Sequence, residues 1–214
     1  MNKPIKIDDV AEDAPSLREQ EVLSAVLQLM VEEGDGFSMA AVARRASCSK
    51  ETLYRWFGDR DGLLTATVQW QASKVIMPKL EGERLTREAF AETLRTFAES
   101  WLTVITGEVS VALNRLAVSH AGNNKTNLGR IVLENGPFAM QRRLEPIFKA
   151  GSDAGLMKLD AQTAARSFFG LVVADSQIRI LLGDEHNPSK AEIRKFAEQA
   201  VEQFLALCDV KNQN

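Results

Sequence analysis

Apolar side chains recur every three or four positions through most of the chain, the spacing that lays a single stripe along a helix. Ser16 with Glu19 makes a capping box ahead of Val22, Leu23, Val26, Leu27 and Met30, which predicts a first helix of about four turns. Gly34 and Gly36 end it. Phe37 then stands before Ser38, whose hydroxyl suits the cap of a short helix burying Met39, Val42 and Ala43. Ser49 opens another helix with Leu53 and Phe57 on its inner face, which leaves Lys50, Thr52, Tyr54 and Arg55 toward the outside. Gly58 and Asp59 break that helix. A longer one is predicted from Arg60 through Leu63, Leu64, Val68 and Val75 to about Pro78.

The same periodicity continues to the C-terminal end. After the polar stretch Glu81 to Arg84, Thr86 caps a helix carrying Phe90, Leu94, Phe97, Trp101, Val104 and Ile105, closed by Gly107. Another runs from about Glu108 through Leu113 and Leu116 to His120, and the segment from Gly122 to Asn127 reads as a loop. A helical pattern over Leu128 to Ala150 contains Gly136 and Pro137, which must kink or interrupt it. Asp160 caps a helix from Ala161 to Leu182 that is apolar around most of its circumference and needs cover on several sides. A last helix follows the capping box Ser189 to Glu192. No strand alternation or internal repeat interrupts this series, so the expected fold is all-α with about nine helices.

Composition narrows the function classes. A chain of 214 residues with 45% hydrophobic and 26% charged side chains is that of an ordinary globular protein, with a mobile arm expected over residues 1–15. The longest apolar runs fall far short of the roughly 20 residues that cross a bilayer. With no signal-peptide layout in the acidic N-terminus, we expect a cytoplasmic protein with no membrane partner. Cys48 and Cys208 form no disulfide or metal pattern, and His120 and His186 lack ligand spacing; no metal and no cofactor is expected. The net charge of −3 argues against a protein coated in nucleic acid. Residues 38–60 differ: five basic side chains (Arg44, Arg45, Lys50, Arg55, Arg60) stand against two acidic ones (Glu51, Asp59), a local +3. Two short helices joined by a tight turn, with basic, hydroxyl and aromatic groups on the outside of the second, are the arrangement that sets a helix in the DNA major groove.

From Gly36 to Leu64 the sequence resembles the TetR/AcrR family of bacterial one-component transcriptional regulators. The residues that carry the likeness are Phe37-Ser38-Met39, Val42-Ala43, Ala46, Cys48-Ser49, Thr52-Leu53-Tyr54, Phe57, Arg60, Leu63 and Leu64. Further on, WLTVITGEVSVALNRLAVSHA and GLVVADSQIRILLG are similar to the AefR-like branch. Three positions depart from the pattern. The turn glycine is Ser47, so the backbone there either avoids positive φ or tolerates strain. The aromatic before Phe57 is Trp56, and the lysine opening the fourth helix is Arg60.

The resemblance implies a helix-turn-helix DNA-binding domain over residues 16–60 and a larger helical effector-binding and dimerising domain over 61–214. It implies phosphate contacts from Ser38, Tyr54 and Arg60, and base readout by Lys50 and Thr52, with Ser49, Arg44 and Arg55 alongside. For the arginines a solvated face is an equal alternative, and Glu51 reads more simply as a complement to the helix dipole. Cys48 reads as a small hydrophobe rather than a redox sensor.

The implied partners are a palindromic double-stranded operator, a small-molecule effector and a second copy of the chain, joined through the last two helices. Trp70, Phe97, Trp101, Phe138 and Phe168 are candidate pocket walls, with Asn114, His120, Arg142 and Asp175 as polar groups to orient an effector; aromatics at helical spacing are more often core. The expected function is a homodimeric repressor, not an enzyme. The alternatives are a small helical enzyme using His120 with Asp175, for which no nucleophile or phosphate-loop motif is present, and a helical protein-interaction scaffold.

Overall fold

The computed structural model describes residues 14–78, 85–121, 127–185 and 187–208. Residues 1–13 of the arm expected over 1–15, the stretch Glu81 to Arg84, residues 122–126 of the expected loop, and His186 lie outside them. Every regular element among the described residues is helical: α1 (Leu17–Glu33), α2 (Met39–Arg45), α3 (Lys50–Phe57), α4 (Arg60–Ser73), α5 (Arg87–Thr106), α6 (Glu108–Ser119), α7 (Leu128–Asn135), α8 (Pro137–Asp153), α9 (Ala161–Val173), α10 (Ser176–Leu181) and α11 (Lys190–Cys208), with a 3-10 turn at Gly34–Gly36.

Local chemistry sets most of the boundaries. Ser16 and Glu19 bond reciprocally at the start of α1, and Ser189 with Glu192 does the same ahead of α11. Ser38, Ser49, Asp59 and Asp160 each accept from the backbone N–H three residues on. Three boundaries differ from the periodicity. The fourth helix ends at Ser73 rather than near Pro78. Beyond it, the Val75 carbonyl accepts from Arg143 Nη2 at 2.9 Å and the Ile76 N–H donates to Ser100 Oγ at 2.8 Å, so these groups are satisfied without a helical ladder. Gly136 and Pro137 interrupt outright: the Gly136 N–H closes α7 on the Val132 carbonyl at 2.8 Å, and Pro137 opens α8. The apolar helix expected over Ala161 to Leu182 breaks at Ala174, which takes φ +42°, and the short α10 packs on α5. Beyond the break, Ile178 and Leu182 remain exposed.

The helices form two compact units that are not consecutive in sequence. One holds the described residues from 14 to Lys74 together with those of Gly107–Ala139; there α1 packs on α2, α4 and α6, and α7 packs on α4 and α6. Its core joins Val22, Leu29, Leu53 and Leu63 to Leu113, Leu128 and Ile131. Among buried polar groups, Gln71 Nε2 donates to Ser110 Oγ at 3.0 Å and Thr67 to the Leu63 carbonyl at 2.7 Å. The other unit holds Val75–Thr106 and the chain from Met140 onward. There α5, α9 and α11 pack together around Phe90, Phe97, Phe148, Phe168 and Phe204, all fully buried. Gly151 of α8 lies so close to Phe90 that a Cβ would sit 2.8 Å from its Cζ.

Candidate nucleic-acid interface

The site is built from α2, the turn after it, α3 and the first turn of α4. At the end of α2, the Ser47 N–H donates to the Arg44 carbonyl (3.3 Å) and the Cys48 N–H to the Ala43 carbonyl (2.9 Å), the paired bonds of a Schellman ending. The residue at its left-handed position is Ser47, with φ +50°. Glycine adopts that conformation freely, whereas a side chain there costs on the order of 1 kcal/mol. Of the two alternatives open in the sequence, the chain takes the strained one.

Leu53 is completely buried, which fixes the roll of α3 about its axis. Consequently Lys50, Tyr54 and Arg55 face outward, Tyr54 retaining 51% of its surface. Ser49 accepts from the Thr52 N–H at 3.1 Å, and the two hydroxyl oxygens also lie 3.1 Å apart, so the half-buried Thr52 is held against the cap. Trp56 and Phe57 meet edge to face, with ring centres 6.2 Å apart, behind the exposed row. The Glu51 carboxyl is held below the usual carboxylate range, first by its own backbone N–H, then by the Ser49 hydroxyl and Lys50.

Ser38 and Arg60 flank this row. Ser38 is exposed and caps α2 by accepting from the Ala41 N–H at 3.1 Å. Arg60 opens α4 with its guanidinium 5.0 Å from the centre of the Phe37 ring, so its stem is fixed while its charge sits at the head of the helix. The two adjacent arginines of α2 diverge: Arg45 forks onto Glu32 of α1 at 3.1 and 2.6 Å, which lowers the Glu32 carboxyl's pKa and raises Arg45's, while Arg44 is exposed. Cys48 is half-buried against the core. Two contributors had not been singled out in the sequence. Arg18 of α1 bonds carbonyls of the turn, a long-range contact that no residue type announces. Gly62 lies against the Phe57 carbonyl; a glycine in the first turn of a helix was the available sign.

The candidate effector residues are divided between the two compact units. Phe97 stacks on Trp101 (5.4 Å between centres) and Phe168 (6.4 Å), and Phe148 and Phe204 close around Phe168 at 5.7 and 5.2 Å. The candidates Phe97, Trp101 and Phe168 are core. Trp70 lies in the other unit beneath the Lys74 ammonium, 4.2 Å from the ring centre; desolvation lowers the Lys74 pKa. Asn114 donates to the Ser110 carbonyl at 2.7 Å, and His120 caps the end of α6. Phe138 and Arg142 are exposed one turn apart on α8, and Asp175 is exposed 3.8 Å from Arg179. His120 and Asp175, the pair on which an enzyme would rest, belong to different compact units.

Known proteins share both halves of this architecture. Residues 22–67 match the family model described as bacterial regulatory proteins, tetR family, and residues 92–208 match that of the AefR-like transcriptional repressor, C-terminal domain. A solved TetR transcriptional regulator from Agrobacterium tumefaciens is 40% identical, covers 90% of this chain and 95% of its own, and superposes with a TM-score of 0.77. The chain belongs to the TetR family.

Two further TetR-like structures agree. A putative TetR-family transcriptional regulator from Mesorhizobium loti is 26% identical over 89% of this chain and 96% of its own, with a TM-score of 0.70. The flavonoid-responsive regulator FrrA is 28% identical over 91% and 98%, with a TM-score of 0.67. No curated protein matches. As a TetR regulator the chain is a DNA-binding transcription factor, and its relatives are regulators rather than enzymes. Among the described residues no helix is long and apolar enough to cross a membrane.

Proposed function

We propose that this TetR protein is a cytoplasmic homodimeric repressor that grips a palindromic operator with α3 and is released by a small-molecule effector. One observation carries the DNA half of the reading: the buried Leu53 turns Lys50, Tyr54 and Arg55 outward on a helix capped by Ser49 and flanked by Ser38 and Arg60. In that arrangement Tyr54, Ser38 and Arg60 hold phosphates, Lys50 and Thr52 address base edges, and Arg44 and Arg55 add charge around them. DNA reading is assigned to residues 16–60, effector binding and dimerisation to 61–214. Apolar side chains exposed on the closing helices, Ile178, Leu182, Phe196 and Leu207, support pairing there through a two-fold axis. A dimer sets two recognition helices roughly 34 to 36 Å apart, matching successive major grooves.

The effector acts by preferring the form whose recognition helices are wrongly spaced. Similarity to FrrA, described as flavonoid-responsive, supports a planar aromatic effector as the first class to try. The test begins with selection of random duplex DNA by the purified protein. A palindromic sequence is expected, with binding that weakens as salt rises. Tyr54→Ala should lose the selected duplex while its circular dichroism and dimer mass stay those of the wild type; unchanged binding by that variant refutes the assigned face. Release of the duplex on titrating flavonoids tests the effector class.

A further inference from the structure

Arg18 is the second residue of α1, 28 residues before Ala46 at the turn of the helix-turn-helix, yet its Nη2 donates to the carbonyl oxygens of both Ala46 and Ser47 at 2.8 Å. Its Nη1 pairs with Glu21 on the same helix. The Ala46 carbonyl is at the end of α2 and the Ser47 carbonyl just beyond it, and a guanidinium there also complements the negative end of the helix dipole. Ser47 is the residue held at φ +50° without being a glycine. The charge-assisted fork and the strained residue therefore meet on one peptide. We propose that Arg18 is a positioning residue for DNA recognition: it clasps the turn to α1, holds Ser47 in its left-handed conformation, and so fixes the angle at which α3 leaves α2.

This rests on the reading that α3 contacts DNA. Its logic is a compensation, since glycine at position 47 adopts the turn unaided. Were Arg18 to relax the turn when removed, the cost would appear as misaligned contacts along α3 and be shared by all DNA sequences. Were Arg18 instead to touch phosphate, its loss would remove one counterion-releasing contact.

The experiment measures affinity for the duplex selected by the wild-type protein, at several salt concentrations, for Arg18→Ala, Ser47→Gly, the double variant and Tyr54→Ala, with melting curves for each. Arg18→Ala should weaken binding roughly tenfold, the order of one lost charge-assisted bond. Ser47→Gly should bind like the wild type, and the double variant should recover most of the loss. The salt dependence should keep its slope throughout. Wild-type affinity in Arg18→Ala overturns the proposal, as does a loss that Ser47→Gly fails to rescue, or a log–log salt slope shallower by about 0.9, the signature of one phosphate contact. If Tyr54→Ala alone weakens binding, the DNA face stands and the clasp falls; if neither variant does, both fall. Should Arg18→Ala not fold, Arg18→Met serves, because it keeps the apolar stem but has no N–H to donate to the two carbonyls; its weaker binding must likewise be rescued by Ser47→Gly.

Discussion

Replacing Gly62 by alanine adds one methyl group at the point where α4 meets the end of α3. A Cβ built there falls inside the van der Waals shell of the Phe57 carbonyl oxygen, with its carbon 3.2 Å away. Glycine to alanine within a helix ordinarily stabilises by up to about 1 kcal/mol. Here the obstructing atom is backbone and cannot rotate aside, so the end of α3 must move, and overpacking of this kind costs about 1–3 kcal/mol. The larger figure applies because the overlap is deep, leaving a net loss of about 2 kcal/mol. For a chain of this size that corresponds to a melting point roughly 4–8 °C lower. Because Tyr54 and Arg55 lie on α3 and Arg60 on α4, the displacement also spoils their common alignment and weakens the selected duplex. Thermal unfolding by circular dichroism and DNA titration check both effects. A variant that melts at or above the wild-type temperature with full affinity would show the reasoning about this contact to be wrong.

Other consequences of the structure can be measured in the same way. Phe168→Ala should destabilise by about 3–5 kcal/mol in urea unfolding, as expected for an aromatic removed from a closed cluster; a cost under about 1 kcal/mol would mean that the residue faces open space. Asp160 caps α9 and its carboxyl is held below the ordinary value, chiefly by the Thr163 N–H. Its stabilising effect is therefore present above the unfolded-state pKa and fades as pH falls through the lower folded-state one, so the gap in melting temperature between wild type and Asp160→Ala should narrow on acidification below about pH 4. A gap that stays constant as the pH is taken well below about 4 contradicts the cap.

Helix starts could be read in the sequence because their chemistry is local: Ser16, Ser38, Ser49, Asp160 and Ser189 each bond a backbone group three residues away. The exposed row on α3 followed equally from the spacing of Leu53 and Phe57. Long-range partners could not be read. Arg18 bonds carbonyls, which every residue has, and the break at Ala174 carries no glycine or proline to announce it. Stripe counting placed Phe97, Trp101 and Phe168 on helices correctly but could not say whether they faced a cavity or one another; contact distances put them against each other.

The shared core of α1, α4, α6 and α7 bears on how such regulators can be recombined. Leu113, Ala117, Leu128, Ile131 and Val132 seal the same interior as Leu29, Met30 and Val68. A chimera joined after residue 60 would strip that interior of its cover and present sticky apolar surface to other chains. A transplant of the reading head should carry the segment Gly107–Ala139 with it, which makes three splice points rather than one.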